Sequence, residues 1–190
     1  MHLRSSLSGV HGLSCRKSAG RHMRHSALNV LLKRSLAAAE IPSRLEPSSL
    51  SRSDGKRPDG MTMMPWKQGR CLVWDVTCPD TLATSHLNKA VTGPGVVASE
   101  AELKKCSKYQ TISQTHWFVP VAVETLGALG DNANAFFADL GGRVASVTKE
   151  PRAFQFLMQR VSAAIQRGNA ASVIGTADCG INNLEEIFYI

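Results

Sequence analysis

Residues 56–77 read KRPDGMTMMPWKQGRCLVWDVT. Two β-type runs, Met61–Trp66 and Cys71–Thr77, flank the turn residues Lys67-Gln68-Gly69-Arg70, which predicts a hairpin. Asp59 stands just before the first run and Asp75 inside the second. Along the second run side chains alternate, so Val73, Asp75 and Thr77 share one face while Leu72, Trp74 and Val76 take the other, better suited to a core. A carboxylate inside a strand is costly unless something compensates it. The out-and-back path of residues 60–74 can bring Asp75 beside Asp59, where mutual repulsion raises a pKa unless a cation intervenes. A hard divalent ion such as magnesium would resolve that repulsion and could activate water against a phosphodiester. Arg57-Pro58-Asp59-Gly60 is also a good type I turn, and turn chemistry accounts for Asp59 by itself. It does not account for Asp75.

Outward from the hairpin, the chain alternates helix and strand. Ser26 can cap a helix to about Glu40 with Leu28, Leu31, Leu32 and Leu36 on one stripe, and a short strand fits near Arg44–Glu46. Residues 78–98 read as a loop. Ser99 and Glu102 form a capping-box pattern for a helix to about Ser113, with Leu103, Cys106 and Ile112 inward. Trp117–Glu124 has the continuous apolar character of a fully buried strand. Asp131 opens a helix carrying Phe136, Phe137, Leu140 and Val144, and Pro151 one carrying Phe154, Leu157, Met158, Val161 and Ile165. A last short strand is expected at Ser172–Gly175. The order is helix, three strands, helix, strand, two helices: an α/β (α+β) fold with a mixed sheet flanked by helices.

The chain has 190 residues, enough for one domain with a real core. No run approaches the about 18 apolar residues of a membrane span. Five scattered cysteines with no CxxC argue for a reducing compartment. The net charge of +7 is concentrated in residues 1–39, which hold seven Lys and Arg and no acid, leaving a neutral body. Such a basic arm suits DNA or RNA, a mitochondrial transit peptide, or plain solvation, and charge alone does not separate the three.

Arg57-Pro58-Asp59, the hairpin, Trp74-Asp75-Val76-Thr77, Lys108-Tyr109, Glu124-Thr125 and Gln166-Arg167-Gly168-Asn169, with His11-Gly12-Leu13-Ser14-Cys15 and Arg24-His25 ahead of them, resemble the restriction-like endonuclease of site-specific non-LTR retrotransposons. That resemblance implies a PD-(D/E)XK core over residues 25–190, behind a basic arm at 1–24. It implies a DNA endonuclease derived from a retrotransposon polyprotein, dependent on magnesium or manganese, with no small-molecule cofactor and a nuclear location. The alternatives are a non-catalytic nucleic-acid-binding or orphan remnant, and a mitochondrial protein. Asp59 and Asp75 would be the metal carboxylates. Thr77 stands where most such enzymes keep their lysine, and the role passes to Lys105 or, preferentially, Lys108 on the following helix. Glu124 and His25 would be auxiliary site residues. Arg16, Lys17, Arg21, Arg24 and Arg57 would contact nucleic acid. His11-x3-Cys15 resembles half of a CCHC zinc knuckle, and two ligands do not make a closed zinc site, so no zinc is expected. The chain itself would be a truncated C-terminal piece of such an element.

Overall fold

The computed structural model describes residues 10–14, 19–50 and 55–175. In chain order they form α1 (Val10–Ser14), α2 (Ala19–Ala38), β1 (Ser43–Leu45), β2 (Gly60–Lys67), β3 (Arg70–Thr77), α3 (Thr84–Ala90), α4 (Val96–Lys108), α5 (Gln110–Ser113), β4 (Trp117–Ala122), α6 (Asp131–Thr148) and α7 (Ala153–Ile174). The hairpin joining β2 and β3 is tighter than the sequence suggests. Only Gln68 and Gly69 lie outside the strands, both in the left-handed region (φ 51° and 71°). That is the turn whose twist matches paired strands, and glycine takes its second position without a steric penalty.

The sheet order is β1-β2-β3-β4. The first two pairings are antiparallel, and β3 and β4 run parallel, Asp75 facing Pro120 in the register. A parallel pair needs a crossover, supplied here by α3, α4 and α5. Pro65 interrupts the β2–β3 register, and Thr62 Oγ1 accepts the Leu72 N–H at 2.9 Å, standing in for a backbone carbonyl. The result is a mixed α+β fold: a four-stranded mixed sheet flanked by helices. Leu28, Leu32 and Leu36 of α2 meet Leu72, Trp74 and Val76 of β3, with Phe136, Phe137 and Leu140 of α6 and Val161 and Ile165 of α7 completing the core. Each of those β3 residues removes apolar surface from water worth roughly 1.5–3 kcal/mol. Among the described residues no helix is long and apolar enough to cross a membrane.

Several expectations are corrected. The first long helix begins at Ala19, seven residues before Ser26, so a boundary between residues 24 and 25 falls inside a helix. Arg24 is 2% exposed and donates to Asn169 Oδ1 of α7 at 2.5 Å, which removes it from any exposed arm. Residues 172–175 are not a strand. They continue α7, because Gly168 and Ser172, four residues apart, form a shallow track on which Gly20 and Arg24 of α2 pack. The stretch 78–98 contains α3 and the start of α4 rather than only turns. Ser99 therefore lies inside α4, and Leu103, expected inward, is 66% exposed. Its slot in the interior is taken by Glu102, which is fully buried.

Glu102 is buried because α6 needs it. Glu102 Oε2 accepts the Asn132 N–H (2.8 Å) and Oε1 the Ala133 N–H (2.9 Å), two of the amides that the first turn of a helix leaves without partners. Glu124 does the same for α4, its Oε1 accepting the N–H groups of Val97 (3.0 Å) and Ala98 (3.2 Å). A carboxylate at a helix N-terminus also meets the positive end of the helix dipole.

Candidate functional site

Asp59 is fixed by its backbone before its side chain does anything. Its N–H donates to Trp74 O (3.1 Å) and its C=O accepts from Glu46 N–H (2.7 Å), so it continues the ladder at the base of β2. The side chain then turns to Val76, whose N–H donates to Asp59 Oδ2 at 2.6 Å. The same oxygen lies 2.9 Å from His25 Nε2 of α2. Burial alone would raise the Asp59 pKa, but the His25 and Val76 hydrogen bonds outweigh it and hold the carboxyl below its usual range. His25 responds in the opposite sense. The hydrogen bond to Asp59 raises its pKa against the opposing effect of burial.

Asp75 is 4% exposed and occupies the face of β3 opposite Trp74. Its Oδ1 accepts from the Tyr109 hydroxyl at 3.1 Å, and its Oδ2 lies 2.5 Å from Lys105 Nζ. The Lys105 contact is an ion pair only: Oδ2 is buried and receives no hydrogen bond of good geometry. Desolvation is the largest influence on Asp75 and raises its pKa; Lys105 and Lys108 pull it down, and Asp59 pushes it up again. The two carboxylates are thus close enough to feel each other's charge.

The expected convergence of Asp59, Asp75, Lys105 and Lys108 is present, with one change of emphasis. Lys105, not Lys108, touches a carboxylate. Lys108 Nζ donates to the Tyr109 hydroxyl at 2.9 Å and lies 4.5 Å from the ring centroid, so it reaches Asp75 through the phenol. Tyr109 ends α4 and is 1% exposed; its single hydroxyl hydrogen lies between Asp75 Oδ1 and the Arg57 carbonyl (3.2 Å). Glu124 is not brought to this cluster, since its carboxylate is engaged by the first amides of α4. The Arg57 side chain pairs with Glu46 on the exposed surface. Arg16, Lys17, Cys15 and the side chains of His11 and Arg21 lie outside the described residues.

Sequence reasoning missed Asn29 and the structural use of Tyr109. Asn29 Oδ1 accepts the Trp74 indole N–H at 2.9 Å, and its amide lies 3.5 Å from His25 Nδ1. In that arrangement neutral His25 accepts on Nδ1 and donates from Nε2 to Asp59. His25 and Asn29 are four residues apart on α2, a spacing that places both on one helix face and could have identified the pair. Among the described residues no three His, Cys, Asp or Glu side chains form a group that could hold a metal ion. The donor set available is two carboxylates flanked by three cationic side chains and a phenol.

No protein-family model matches this sequence, and no curated protein sequence matches it significantly.

Proposed function

We propose that the chain is a PD-(D/E)XK-type, metal-dependent DNA endonuclease domain of retrotransposon origin, acting in the nucleus, with Asp59, Asp75, Lys105 and Lys108 at its centre. The observation that carries this reading is that these residues, scattered over residues 59–108, meet at one point beside the β2–β3 hairpin. The order α2, β1, β2, β3, α4, β4, with two antiparallel pairings and one parallel, supports the core that the resemblance implies.

The donor set fits magnesium or manganese. Such an ion takes one or two protein carboxylates and fills its other positions with water and substrate phosphate. Asp75 Oδ2, buried with no well-formed hydrogen bond, is the acceptor in the cluster with unused capacity. When bound, the ion would neutralise phosphate charge and acidify a water. The protein's own groups have separable tasks. Lys105 keeps Asp75 ionised despite its burial. Tyr109 holds Oδ1 of Asp75 in one orientation. Lys108 supplies a second positive charge for a phosphodiester oxygen as negative charge develops on it. His25 holds Asp59 ionised and carries a proton near neutral pH, because Asp59 raises its pKa.

One feature favours the second reading, a non-catalytic nucleic-acid-binding or orphan remnant. His25 matches Asp59 and Lys105 matches Asp75, a neutralised set that would join α2 and α4 to the sheet with no ligand at all. Nicking of supercoiled plasmid separates the two. The parent chain is compared with Asp75→Asn and Lys105→Met prepared in parallel, each with magnesium, manganese or EDTA. Catalysis predicts metal-dependent nicking by the parent, lost with Asp75→Asn and reduced about 10²–10³-fold with Lys105→Met. A folded parent that never nicks supports the remnant.

A further inference from the structure

Away from the carboxylate cluster, α2 and α7 enclose a groove of about 850 Å³. Its floor is apolar, built from Met23, Ala27, Val30 and Leu31 of α2 with Ala163 and Ala164 of α7. Its walls carry Arg34, Arg160 and Arg167, and no acidic side chain lines it. Val30 is 40% exposed there, and Arg34 and Arg160 face solvent. An occupant must therefore offer apolar side chains to the floor and negative charge to the walls. A bare phosphodiester backbone meets only the second demand.

The chain supplies a segment that meets both. Residues 176–190 read TADCGINNLEEIFYI, with Asp178, Glu185 and Glu186, no Lys, Arg or His, and the apolar residues Leu184, Ile187, Phe188, Tyr189 and Ile190 around the paired glutamates. We propose that this acidic, apolar segment docks back into the α2–α7 groove, with Glu185 and Glu186 against the arginines. The reach is sufficient. Ala164 precedes Gly175 by eleven residues, about 16 Å along α7. The nine residues from Gly175 to Leu184 span up to about 30 Å when extended. Gly180 and Asn182-Asn183 provide the turn chemistry that a reversal needs. The groove and the carboxylate cluster share only α2, so this docking stands independently of any nuclease activity.

Hydrogen–deuterium exchange on the full chain tests it, with the β3 amides Leu72–Val76 as an internal check that the fold is intact. A short tether gives an effective concentration in the millimolar range, so a contact of about 0.1 mM intrinsic affinity is about nine-tenths formed and slows exchange at Leu184–Ile190 about tenfold. Arg34→Glu with Arg160→Glu should abolish that protection, as should Glu185→Arg with Glu186→Arg. Combining all four should restore it. Three results would overturn the proposal: an unprotected segment in the parent, protection that grows with protein concentration (a second copy), and protection that appears only on adding duplex DNA.

Discussion

Replacing Asp75 with asparagine keeps the shape of the side chain and removes its charge. The carboxamide oxygen of the replacement would still accept from the Tyr109 hydroxyl, so that bond is largely kept. What is lost is the ion pair with Lys105. Breaking a fully buried pair costs about 3–5 kcal/mol, whereas an exposed pair is worth about 0.2–1 kcal/mol. Asp75 sits near the first limit and Lys105, 24% exposed, nearer the second, because its ammonium can turn to water. Against the loss stands the relief of two penalties that raise the Asp75 pKa, burial of the charge first and then repulsion from Asp59. The expected balance is a destabilisation of about 1–2 kcal/mol, or a fall in Tm of about 3–6 °C for a chain of this size. The assay is a circular dichroism melt at neutral pH in EDTA, comparing the parent, Asp75→Asn, Lys105→Met and the double variant. The double variant should cost less than the sum of the singles, since each single leaves one charge unmatched. The pH dependence adds a signature. Asp75 has a folded pKa above its value of 3.8 in the unfolded chain, so its ionisation costs stability as pH rises from there through the folded pKa, and Asp75→Asn should remove that decline. An unchanged or higher Tm for Asp75→Asn would mean that Lys105 does not compensate the carboxylate, and the cluster would not be a paired network.

The same network makes stability sensitive near neutral pH. The His25 pKa is raised above 6.5 by Asp59, so its contribution is complete below 6.5 and lost as pH rises through the higher folded value; urea titrations from pH 6 to 9 should show a decline that His25→Gln flattens. Glu102→Ala should cost about 3 kcal/mol or more in the same titrations, because it strands buried amides at the start of α6, whereas Leu103→Ala on the exposed side should stay within about 0.5 kcal/mol. At Gly168 an added Cβ would land on the Arg24 side chain, so Gly168→Val should lower the melting temperature sharply, while Gly142→Ala, with open space around it, should raise it slightly.

Periodicity was a good guide wherever side chains and backbone agreed. The α2 leucine stripe, the alternation of β3 and the phenylalanines of α6 all face where their spacing places them. It failed where a polar side chain serves a distant backbone. Glu102 and Leu103 are adjacent, and hydropathy assigns the leucine to the interior; the reverse is true because the unpaired amides of α6, some thirty residues later, need an acceptor. Likewise Ser172-Val173-Ile174 resembles a strand by composition, and only the small-residue track with Gly168 explains why it stays helical against α2. In the cluster, the two aspartates and the two lysines were legible from their order along the chain. Which lysine touches which oxygen was not, since Lys105 and Lys108 share one helix face and only the packing of Tyr109 distinguishes them.

The two buried glutamates have a consequence for how the cluster can respond to a bound molecule. Glu124 grips the start of α4 while Glu102, about one and a half turns along, grips the start of α6. Sliding α4 by one residue would turn Glu102 through about 100° and forfeit both grips at once. The helix is therefore pinned like a key with two bits, and Lys105 and Tyr109 inherit a fixed base. Any adjustment toward a ligand must come from rotation about lysine side-chain bonds, on the nanosecond scale of rotamer hops rather than the slower scale of helix movement.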